Sequence, residues 1–243
     1  TRDFSVLRIG SGASHSATRL VVFGSYRDSF KVTSSSELSA DLETPWISAS
    51  TTSPHSIGGA TLADYGAVLR SGYFVWNREK KRMLTCVRGK FDVPLIWARN
   101  IKAGEFCRPS ARKRNGVDFV RFKTDSTAIL RENALVVQRT TNSSQPRRLI
   151  VARVSPSVLE KWGGFVSENH TITITGPDIE GLNALNLLLN SAAVDTQYRL
   201  LSGTASISVN LLRTLDLPQP QCLFASIEQY GAWGSQGFQK LLA

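Results

Sequence analysis

The sequence predicts an α+β fold, in which a β-rich core of mixed or antiparallel sheet is followed by a C-terminal helical segment. Short β-type runs alternate with turn-forming residues as far as Thr175, and apolar residues then recur at helical spacing after Asp178. Strands that precede helices, without regular alternation, are typical of this class. The 243 residues, of which 42% are hydrophobic, are enough for one large domain or two small ones.

The first part of the chain is rich in Ser, Thr and Gly and contains few strand patterns. Residues 4–9 and 19–23 predict two strands, whereas residues 33–36 predict a loop because small hydroxyl side chains dominate them. Residues 61–66 predict a short helix, with their threonine as its N-cap and their glycine as its stop.

The middle of the chain predicts a series of strands joined by polar and cationic turns. Residues 68–76 form the first of them, and the Ser71-Gly72 interruption indicates a bulge or a close backbone approach. Residues 108–116 predict a basic hairpin loop, because five of these nine positions are Arg, Lys or Pro. Further strands are predicted at residues 93–98, 117–122, 135–137, 149–154 and 171–175.

The last quarter of the chain predicts helices. Asp178 and Ser208 each precede an apolar pattern and are suitable N-caps, because their side-chain oxygens accept hydrogen bonds from the first helical N–H groups. Leucines recur three and four residues apart after Asp178, as on the buried face of a helix. Helices are predicted at residues 179 to about 193, 194–201, 209–212 and 223–242, the last broken near residues 231–237.

The positive charge of the chain is concentrated in its middle. Residues 70–161 contain 21 of the 29 Lys and Arg residues but only 7 of the 19 Asp and Glu residues, a net charge of +14. The rest of the chain has a net charge of −4. A charge that only kept the protein dissolved would be spread along the chain. The concentration predicts one basic face and a polyanionic partner, of which nucleic acid is the leading candidate.

The ends of the predicted strands carry the side chains that contact DNA. Arg pairs with guanine, Asn with adenine, and Ser or Thr with several bases or with phosphates. Most such contacts position a protein on phosphates, and only a few read bases. The candidate DNA-binding residues are Arg70, Ser71, Arg78, Arg99, Asn100, Lys102, Arg139, Thr140, Thr141, Arg147, Arg148, Asn169, His170, Ser202 and Thr204. Replacing Arg147 and Arg148 together is predicted to weaken DNA binding and to leave the fold intact.

No catalytic, cofactor-binding or metal-binding residue is predicted in this chain. The sequence contains no Gly-x-Ser-x-Gly, His-Glu-x-x-His or Cys-x-x-Cys motif. Glu79-Lys80-Lys81, with Asp64 upstream, resembles half of a metal-dependent nuclease site, but both lysines lie in a basic turn. His170 has the chemistry of a general base but no evident nucleophile beside it, so a contact or scaffold role is predicted.

Cysteine usage and hydropathy indicate a cytoplasmic protein. The three cysteines are far apart and odd in number, which fits a reducing compartment better than a disulfide scaffold, and they lack the close pairing of zinc ligands. There is no run of about 18 apolar residues, so no membrane span is expected. The N-terminus has neither an initiator Met nor a signal-peptide pattern, and the chain is expected to be part of a longer protein.

Several segments occur in an order that is more specific than any of them alone. They are residues 67–78, 93–98, 135–141, 146–149, 168–170, 187–190 and 215–218, with Gly164, Val194, Asp195, Tyr198 and Ser202-Gly203 between them. In this order and spacing they resemble the target-recognition domain of adenine-specific DNA methyltransferases from bacterial restriction–modification systems. The resemblance extends from about residue 62 to residue 220.

The resemblance implies a division of labour between this chain and a catalytic domain. In that family a separate domain binds S-adenosylmethionine and holds the flipped adenine with an Asn-Pro-Pro-Tyr-type motif, whereas this chain contains neither Asn-Pro nor Pro-Pro. Residues 1–60 are then expected to connect to an upstream methyltransferase domain, residues 61–220 to recognise double-stranded DNA, and residues 221–243 to form a helical tail. The chain alone is expected to bind DNA without methylating it.

Two other functions remain open at this point. A non-catalytic specificity subunit of a multi-subunit restriction enzyme has similar recognition domains, but it carries two of them with long spacer helices, and only one is visible here. A stand-alone nuclease depends on Glu79-Lys80-Lys81 alone. The residues by themselves do not identify the recognised base sequence.

Overall fold

A computed structural model describes residues 58–87, 89–107, 118–141, 145–202, 204 and 206–230, and the backbone of residues 3–6, 18–26 and 29–38. The chain divides into two compact units, Thr1–His55 with Arg199–Gly203, and Ser56–Tyr198 with Thr204–Ala243. The basic loop predicted at residues 108–116 and the end of the predicted terminal helix lie outside the described residues.

The described elements confirm an α+β fold with its helices towards the C-terminus. The strands are β1 (Asp3–Val6), β2 (Thr18–Tyr26), β3 (Ser29–Leu38), β4 (Val68–Ser71), β5 (Met83–Leu84), β6 (Asp92–Ile96), β7 (Ile101–Lys102), β8 (Glu105–Phe106), β9 (Phe119–Arg121), β10 (Leu135–Gln138), β11 (Val151–Arg153), β12 (Val166–Ser167) and β13 (Thr171–Thr175). The helices are α1 (Pro156–Trp162), α2 (Ile179–Leu189), α3 (Ala192–Leu201), α4 (Val209–Arg213) and α5 (Pro220–Tyr230), with single 3-10 turns at Lys80–Arg82 and Ala98–Asn100.

The first unit contains a three-stranded antiparallel sheet in the order β1-β2-β3. Both predicted strands are found in it, although β2 is longer than predicted. The loop predicted at residues 33–36 is wrong, because these residues lie inside β3 and pair with β2 from Thr18↔Leu38 to Tyr26↔Ser29. The hydrogen bonds between strands join main-chain groups, so a serine-rich segment can form a strand when a neighbouring strand such as β2 is available to pair with it.

The second unit is built on a four-stranded antiparallel sheet, the central sheet, in the order β11-β10-β13-β4. All five residues of β13 are buried, and so are Leu135, Val136 and Val137 of β10. Strands buried on both faces cannot alternate apolar with charged residues. The sequence of β13, Thr-Ile-Thr-Ile-Thr, instead alternates apolar residues with threonines, whose small hydroxyls can be buried when they are hydrogen-bonded. Thr173 Oγ1, for example, donates a hydrogen bond to the Arg70 carbonyl.

A second four-stranded sheet lies beside the central sheet in the order β12-β6-β9-β5, with β12 and β6 parallel. Strand β6 is buried along its whole length. Val93 and Leu95 pack in one hydrophobic cluster with Phe74 and Val120, whereas Ile96 packs in another. Because successive side chains of a strand point to opposite faces, β6 forms part of two cores at once.

The helical caps are found where the sequence predicted them. The Asp178 carboxylate accepts a hydrogen bond from the Gly181 N–H at 2.7 Å, and Ser208 Oγ accepts one from the Leu211 N–H at 3.4 Å. The predicted end of the first helix near residue 193 is wrong. Helix α2 stops at Leu189 because Asn190 leaves the helical conformation and donates its side-chain amide to the Val151 and Asn186 carbonyls.

Residues 61–66 form a turn and not the predicted short helix. The Asp64 carboxylate accepts hydrogen bonds from the Thr61 N–H at 2.7 Å and from the Thr61 hydroxyl at 2.9 Å. The backbone bond from Thr61 is the main reason that the pKa of Asp64 lies below its usual value. The carboxylate therefore closes the turn on itself, and Gly66 ends it with φ +69°.

Gly72 lies where β4 crosses the turn between β12 and β13. A Cβ atom at Gly72 would lie 1.9 Å from the Glu168 carbonyl oxygen and 2.8 Å from Ser167 Oγ. Hydrogen bonds from Gly72 N–H to the Thr171 carbonyl (2.9 Å) and from Phe74 N–H to the Ser167 carbonyl (3.0 Å) hold the two chains at this distance. The close backbone approach predicted for Ser71-Gly72 is therefore present.

Gly72→Ala is expected to lower the free energy of unfolding by about 3 kcal/mol, because the added methyl group overlaps the main chain of Glu168 in the turn between β12 and β13. Gly89→Ala is the matched control, since its Cβ would meet nothing nearer than the Asp92 carboxylate at 3.6 Å. The control is expected to change the stability by less than about 1 kcal/mol in urea denaturation. If the two substitutions changed the free energy of unfolding equally, the close approach at Gly72 would not limit the size of this residue.

Candidate nucleic-acid interface

Four strand ends meet at one edge of the central sheet. The register pairs Gln138 at the end of β10 with Thr171 at the start of β13, and Ser71 at the end of β4 with Ile172. Val151 at the start of β11 pairs with Val137. The ends of these strands and the turns that adjoin them carry seven of the candidate DNA-binding residues, which we call the strand-end surface. They are Arg70, Ser71, Arg139, Thr140, Arg148, Asn169 and His170.

The segment before α4 joins the same edge. Thr140 and Ser206 form a β-bridge, and the Ile207 N–H donates to the Arg139 carbonyl at 2.6 Å. This contact encloses a cleft of about 340 Å³ beside Ser71. Among the described residues that line it, Arg139 is the only cationic one, and most of the other side chains are hydroxyls or amides. The polar lining consists of Ser71, Arg139, Thr204, Ser206, Ser208 and Asn210.

A second cleft lies on the other side of Ser71. It has a volume of about 220 Å³ and is bordered by Arg70 and Tyr73. Ser71 therefore borders both clefts, at the point where β4 ends against the Gly72 crossing. Main-chain hydrogen bonds at the end of β4 fix the backbone of Ser71 between the two clefts.

Arg139 is held across the turn that follows β12. Its N–H donates to the His170 carbonyl at 2.8 Å, and its guanidinium Nη1 donates to the Asn169 carbonyl at 3.3 Å. Arg139 has five guanidinium N–H groups in all. The single guanidinium bond leaves this cation with donor groups for an anionic partner while it restricts where they lie.

His170 is oriented by a buried carboxylate. Glu168 is 2% exposed, and its carboxylate accepts hydrogen bonds from the His170 N–H at 3.0 Å and from the ring Nδ1 at 2.5 Å. Because a carboxylate accepts, Nδ1 acts as the donor, and the Nε2 atom is the ring nitrogen that Glu168 does not use. The imidazole is half exposed, so this nitrogen belongs to a surface side chain of fixed orientation.

Two exposed aromatic residues lie next to the same turn, and the sequence did not predict them as part of the site. The Asn169 N–H donates to the Phe74 carbonyl at 2.9 Å, and Tyr73 and Trp76 are the exposed aromatic residues on either side of Phe74 in the sequence. Tyr73 is 53% exposed and Trp76 is 39% exposed. The alternation around the buried Phe74 was an available signal for Tyr73 alone, because adjacent side chains of an extended segment point to opposite faces, whereas Trp76 stands two residues after Phe74.

Several predicted DNA contacts lie beneath the surface. Thr141 is 3% exposed and accepts a hydrogen bond from the Arg148 guanidinium at 3.3 Å. Asn100 is 2% exposed and uses its amide to bind the Trp97 N–H and the Cys107 carbonyl. Ser202 is 6% exposed. Burial leaves these three side chains with bonds inside the protein and little surface for an external partner.

Arg147 and Arg148 differ in their surroundings. The Arg147 Nη2 atom donates to the Asn190 carbonyl and, at 2.9 Å, to the Ser191 carbonyl, at the junction between α2 and α3. These are carbonyls at a helix C-terminus, where a guanidinium is favourable. The Arg148 side chain, by contrast, makes a single bond to Thr141. Arg147 thus stabilises the helical junction, and Arg148 is the better candidate for an external anion.

The three remaining cationic candidates lie outside the strand-end surface. Arg78 is exposed in the turn after Trp76, and Lys102 is exposed in the hairpin of β7 and β8. Arg99 lies 3.5 Å from Asp118, and its guanidinium stacks 4.7 Å from the centre of the Trp97 ring. Of the three, Arg99 is tied most directly to the surface, because Gln138 donates to the neighbouring Ala98 carbonyl.

The nuclease-like residues are engaged in local bonds. The Glu79 carboxylate accepts from the Arg82 guanidinium at 2.9 Å, and Asp64 closes its own turn. Within the described ranges there is no group of three or more His, Cys, Asp or Glu side chains that could hold a metal ion. The two other charged groups with shifted pKa values belong to ion pairs: Arg131 lowers the pKa of Asp125, and Asp92 raises that of Arg121.

The comparisons with known proteins give no independent assignment. No protein-family model matches this chain, and no curated protein matches it. In the part of the chain that the structure describes, every helix is too short or too polar to cross a membrane. The description of the site therefore depends on the geometry and chemistry of its own residues.

Arg147→Ala is expected to lower the free energy of unfolding by roughly 2 kcal/mol, because two helix-end carbonyls lose a charged donor. Arg148→Ala is expected to change it by less than about 0.5 kcal/mol, since one long hydrogen bond is lost. Urea denaturation of the two single variants checks this difference. An Arg148→Ala variant that is the less stable of the two would reverse the assigned roles.

Proposed function

We propose that this chain recognises double-stranded DNA in a sequence-specific manner, as the target-recognition part of an adenine-specific DNA methyltransferase. The observation that carries the DNA part of the proposal is the strand-end surface. Cationic and hydrogen-bonding side chains from four separated segments of the sequence lie at one edge of one sheet. The proposal for the methyltransferase depends in addition on the order of the sequence motifs.

The electrostatics of the chain support a polyanionic partner. The segment with a net charge of +14 supplies Arg70, Arg139 and Arg148 to the strand-end surface. DNA is a polyanion, and Lys and Arg side chains bind it by releasing its condensed counterions. In this proposal the three arginines contact phosphates and fix the orientation of the duplex.

Sequence choice then falls to the short polar side chains between the arginines. The Asn169 Oδ1 atom is buried, so this side chain offers its Nδ2 donor to a base edge. The hydroxyls of Ser71 and Thr140 suit several bases. The fixed Nε2 of His170 adds one more polar atom at the same edge. These groups stand on turns that main-chain hydrogen bonds attach to strands. They therefore meet the requirement that a site which discriminates between bases be held rigidly.

The exposed aromatic rings add a sequence-independent contribution. Tyr73 and Trp76 flank Phe74, whose carbonyl accepts the Asn169 N–H, and Lys80 Nζ lies 5.5 Å from the centre of the Trp76 ring. Flat rings with neighbouring cations stack on bases or pack against the sugar–phosphate backbone. An enzyme that flips a base must hold the duplex firmly around it. This chain would supply that hold, whereas S-adenosylmethionine and the transfer chemistry belong to another domain. A cytoplasmic location accompanies this proposal.

Arg139→Ala is expected to weaken duplex binding and to lower the slope of log K against log[salt] by about 0.9, the contribution of one phosphate contact. Arg153→Ala is the matched control, because Arg153 pairs in register with Leu135 at the opposite end of the central sheet. The control is expected to keep the wild-type slope. The measurement is fluorescence polarisation of a labelled duplex over a series of salt concentrations. A binding constant independent of salt would contradict the proposal.

Selection from random duplexes tests sequence choice separately from charge. The wild-type chain is expected to enrich one short motif, and Asn169→Ala is expected to relax the preference at one position, with a loss of about 1–3 kcal/mol of discrimination. Ser202→Ala serves as a control, since Ser202 is buried. If the chain binds DNA but enriches no motif, it is a non-specific DNA-binding protein, and the proposed role in sequence recognition is wrong.

The reading frame upstream of this chain tests the proposed methyltransferase. An Asn-Pro-Pro-Tyr-type motif is expected there, together with methylation of adenine by the whole protein in the presence of S-adenosylmethionine. A second copy of the pattern in residues 67–78, in place of that motif, would assign the chain to a specificity subunit. Methyl transfer by this chain alone would contradict the proposed division between recognition and chemistry.

A further inference from the structure

A groove between α2 and α5 differs in chemistry from the strand-end surface. It has a volume of about 550 Å³. One wall is a stripe of α2 at helical spacing, and the other is a stripe of α5 at the same spacing. The floor is apolar and includes Leu187, Phe224 and Ile227, and the rim carries Glu180 and Glu228. An apolar floor flanked by two helices has the shape that receives a third helix.

Helix α5 is incompletely buried by the rest of the described structure. Among the side chains of residues 220–229, only Leu223 is buried, whereas Phe224 is 38% exposed. An isolated helix of this length is marginal in water, because helix formation depends on burial of one face. A partner that covers Phe224 and Ile227 would complete the apolar face of α5.

The charge of the groove selects the class of partner. Glu180 and Glu228 are exposed, and neither forms an ion pair with another described residue. Two unpaired carboxylates repel nucleic acid, so this groove is unsuited to the partner that the strand-end surface attracts. They attract a segment with cationic residues at the flanks of an apolar stripe.

We infer that the groove between α2 and α5 is a docking site for a cationic amphipathic helix of a partner protein. The apolar stripe of that helix lies on Leu187, Phe224 and Ile227, and its lysine or arginine side chains pair with Glu180 and Glu228. The contact is small and separate from the residues proposed to bind DNA. It therefore tethers a second protein without competing for the strand-end surface.

The test uses a stapled helical peptide of about 15 residues, with leucines at i, i+3, i+4 and i+7 and lysines on both flanks of that stripe. A second peptide carries glutamates in place of the lysines. The full chain is titrated against each labelled peptide by fluorescence polarisation at about 0.15 M salt, where long-range charge is screened. The lysine peptide is expected to bind at least about tenfold tighter than the glutamate peptide.

The double variant Glu180→Lys/Glu228→Lys is expected to reverse this preference, because the rim then favours the glutamate peptide. Glu132→Lys/Glu160→Lys is the matched control, since both residues are exposed and lie outside the groove. It changes the net charge by the same amount and is expected to keep the wild-type preference. Phe224→Ala is expected to lower the affinity for the lysine peptide by about tenfold, because the apolar contact of the phenyl ring with the peptide is lost. Circular dichroism of each variant checks that the helices remain.

Two results would overturn the inference. One is a charge-reversed variant that still prefers the lysine peptide, which would place the binding outside this groove. The other is a wild-type chain that dimerises without peptide and becomes monomeric with Phe224→Ala, measured by sedimentation. In that case a second copy of this chain covers the groove. Because no variant in this test alters a proposed DNA contact, failure here leaves the DNA-binding proposal unaffected.

Discussion

The contact between Gly72 and the Glu168 carbonyl sets the arrangement of the second unit. It brings the end of β4 against the short turn through which the chain passes from one sheet to the other. Main-chain hydrogen bonds from Gly72, Phe74 and Asn169 converge there. A side chain at Gly72 would separate these segments, so the absence of a Cβ atom is a steric condition for the crossing. The smaller cleft beside Ser71 lies at this close approach, because Gly72 and Ser167 both line it.

The sequence predicted best what short-range chemistry decides. Asp178 and Ser208 are caps whose partners lie three residues away, and the alternation in β13 marks a strand in any context. It predicted poorly what distant partners decide. The strand at residues 33–36 depends on pairing with β2, and the end of α2 depends on Asn190 binding the Val151 carbonyl. No local pattern contains either contact.

The candidate site shows the same division. Residue type and position at strand ends singled out Arg139, Asn169 and His170 as candidates, and the sheet register brings them to one edge, because strand ends of an antiparallel sheet gather at common edges. Burial was not visible in the sequence, so Thr141 was grouped with residues that are truly exposed. Buried and exposed candidates can be told apart only when the partner of each side chain is known. A threonine or an arginine looks the same in a sequence whether it binds a carbonyl or faces solvent.

The Asp195 carboxylate gives the strand-end surface an attachment to the helices. Asp195 lies in α3, is 6% exposed, and accepts hydrogen bonds from the N–H groups of both Arg148 and Leu149 at 2.7 Å. The turn that presents Arg148 is therefore fastened at its main chain to a helix of the C-terminal segment. A displacement of α3 therefore moves that turn as well, and the position of the helical segment affects the position of one edge of the central sheet. Together with the bonds from Arg147 to the Asn190 and Ser191 carbonyls, this carboxylate couples the position of the helices to that of the strand-end surface.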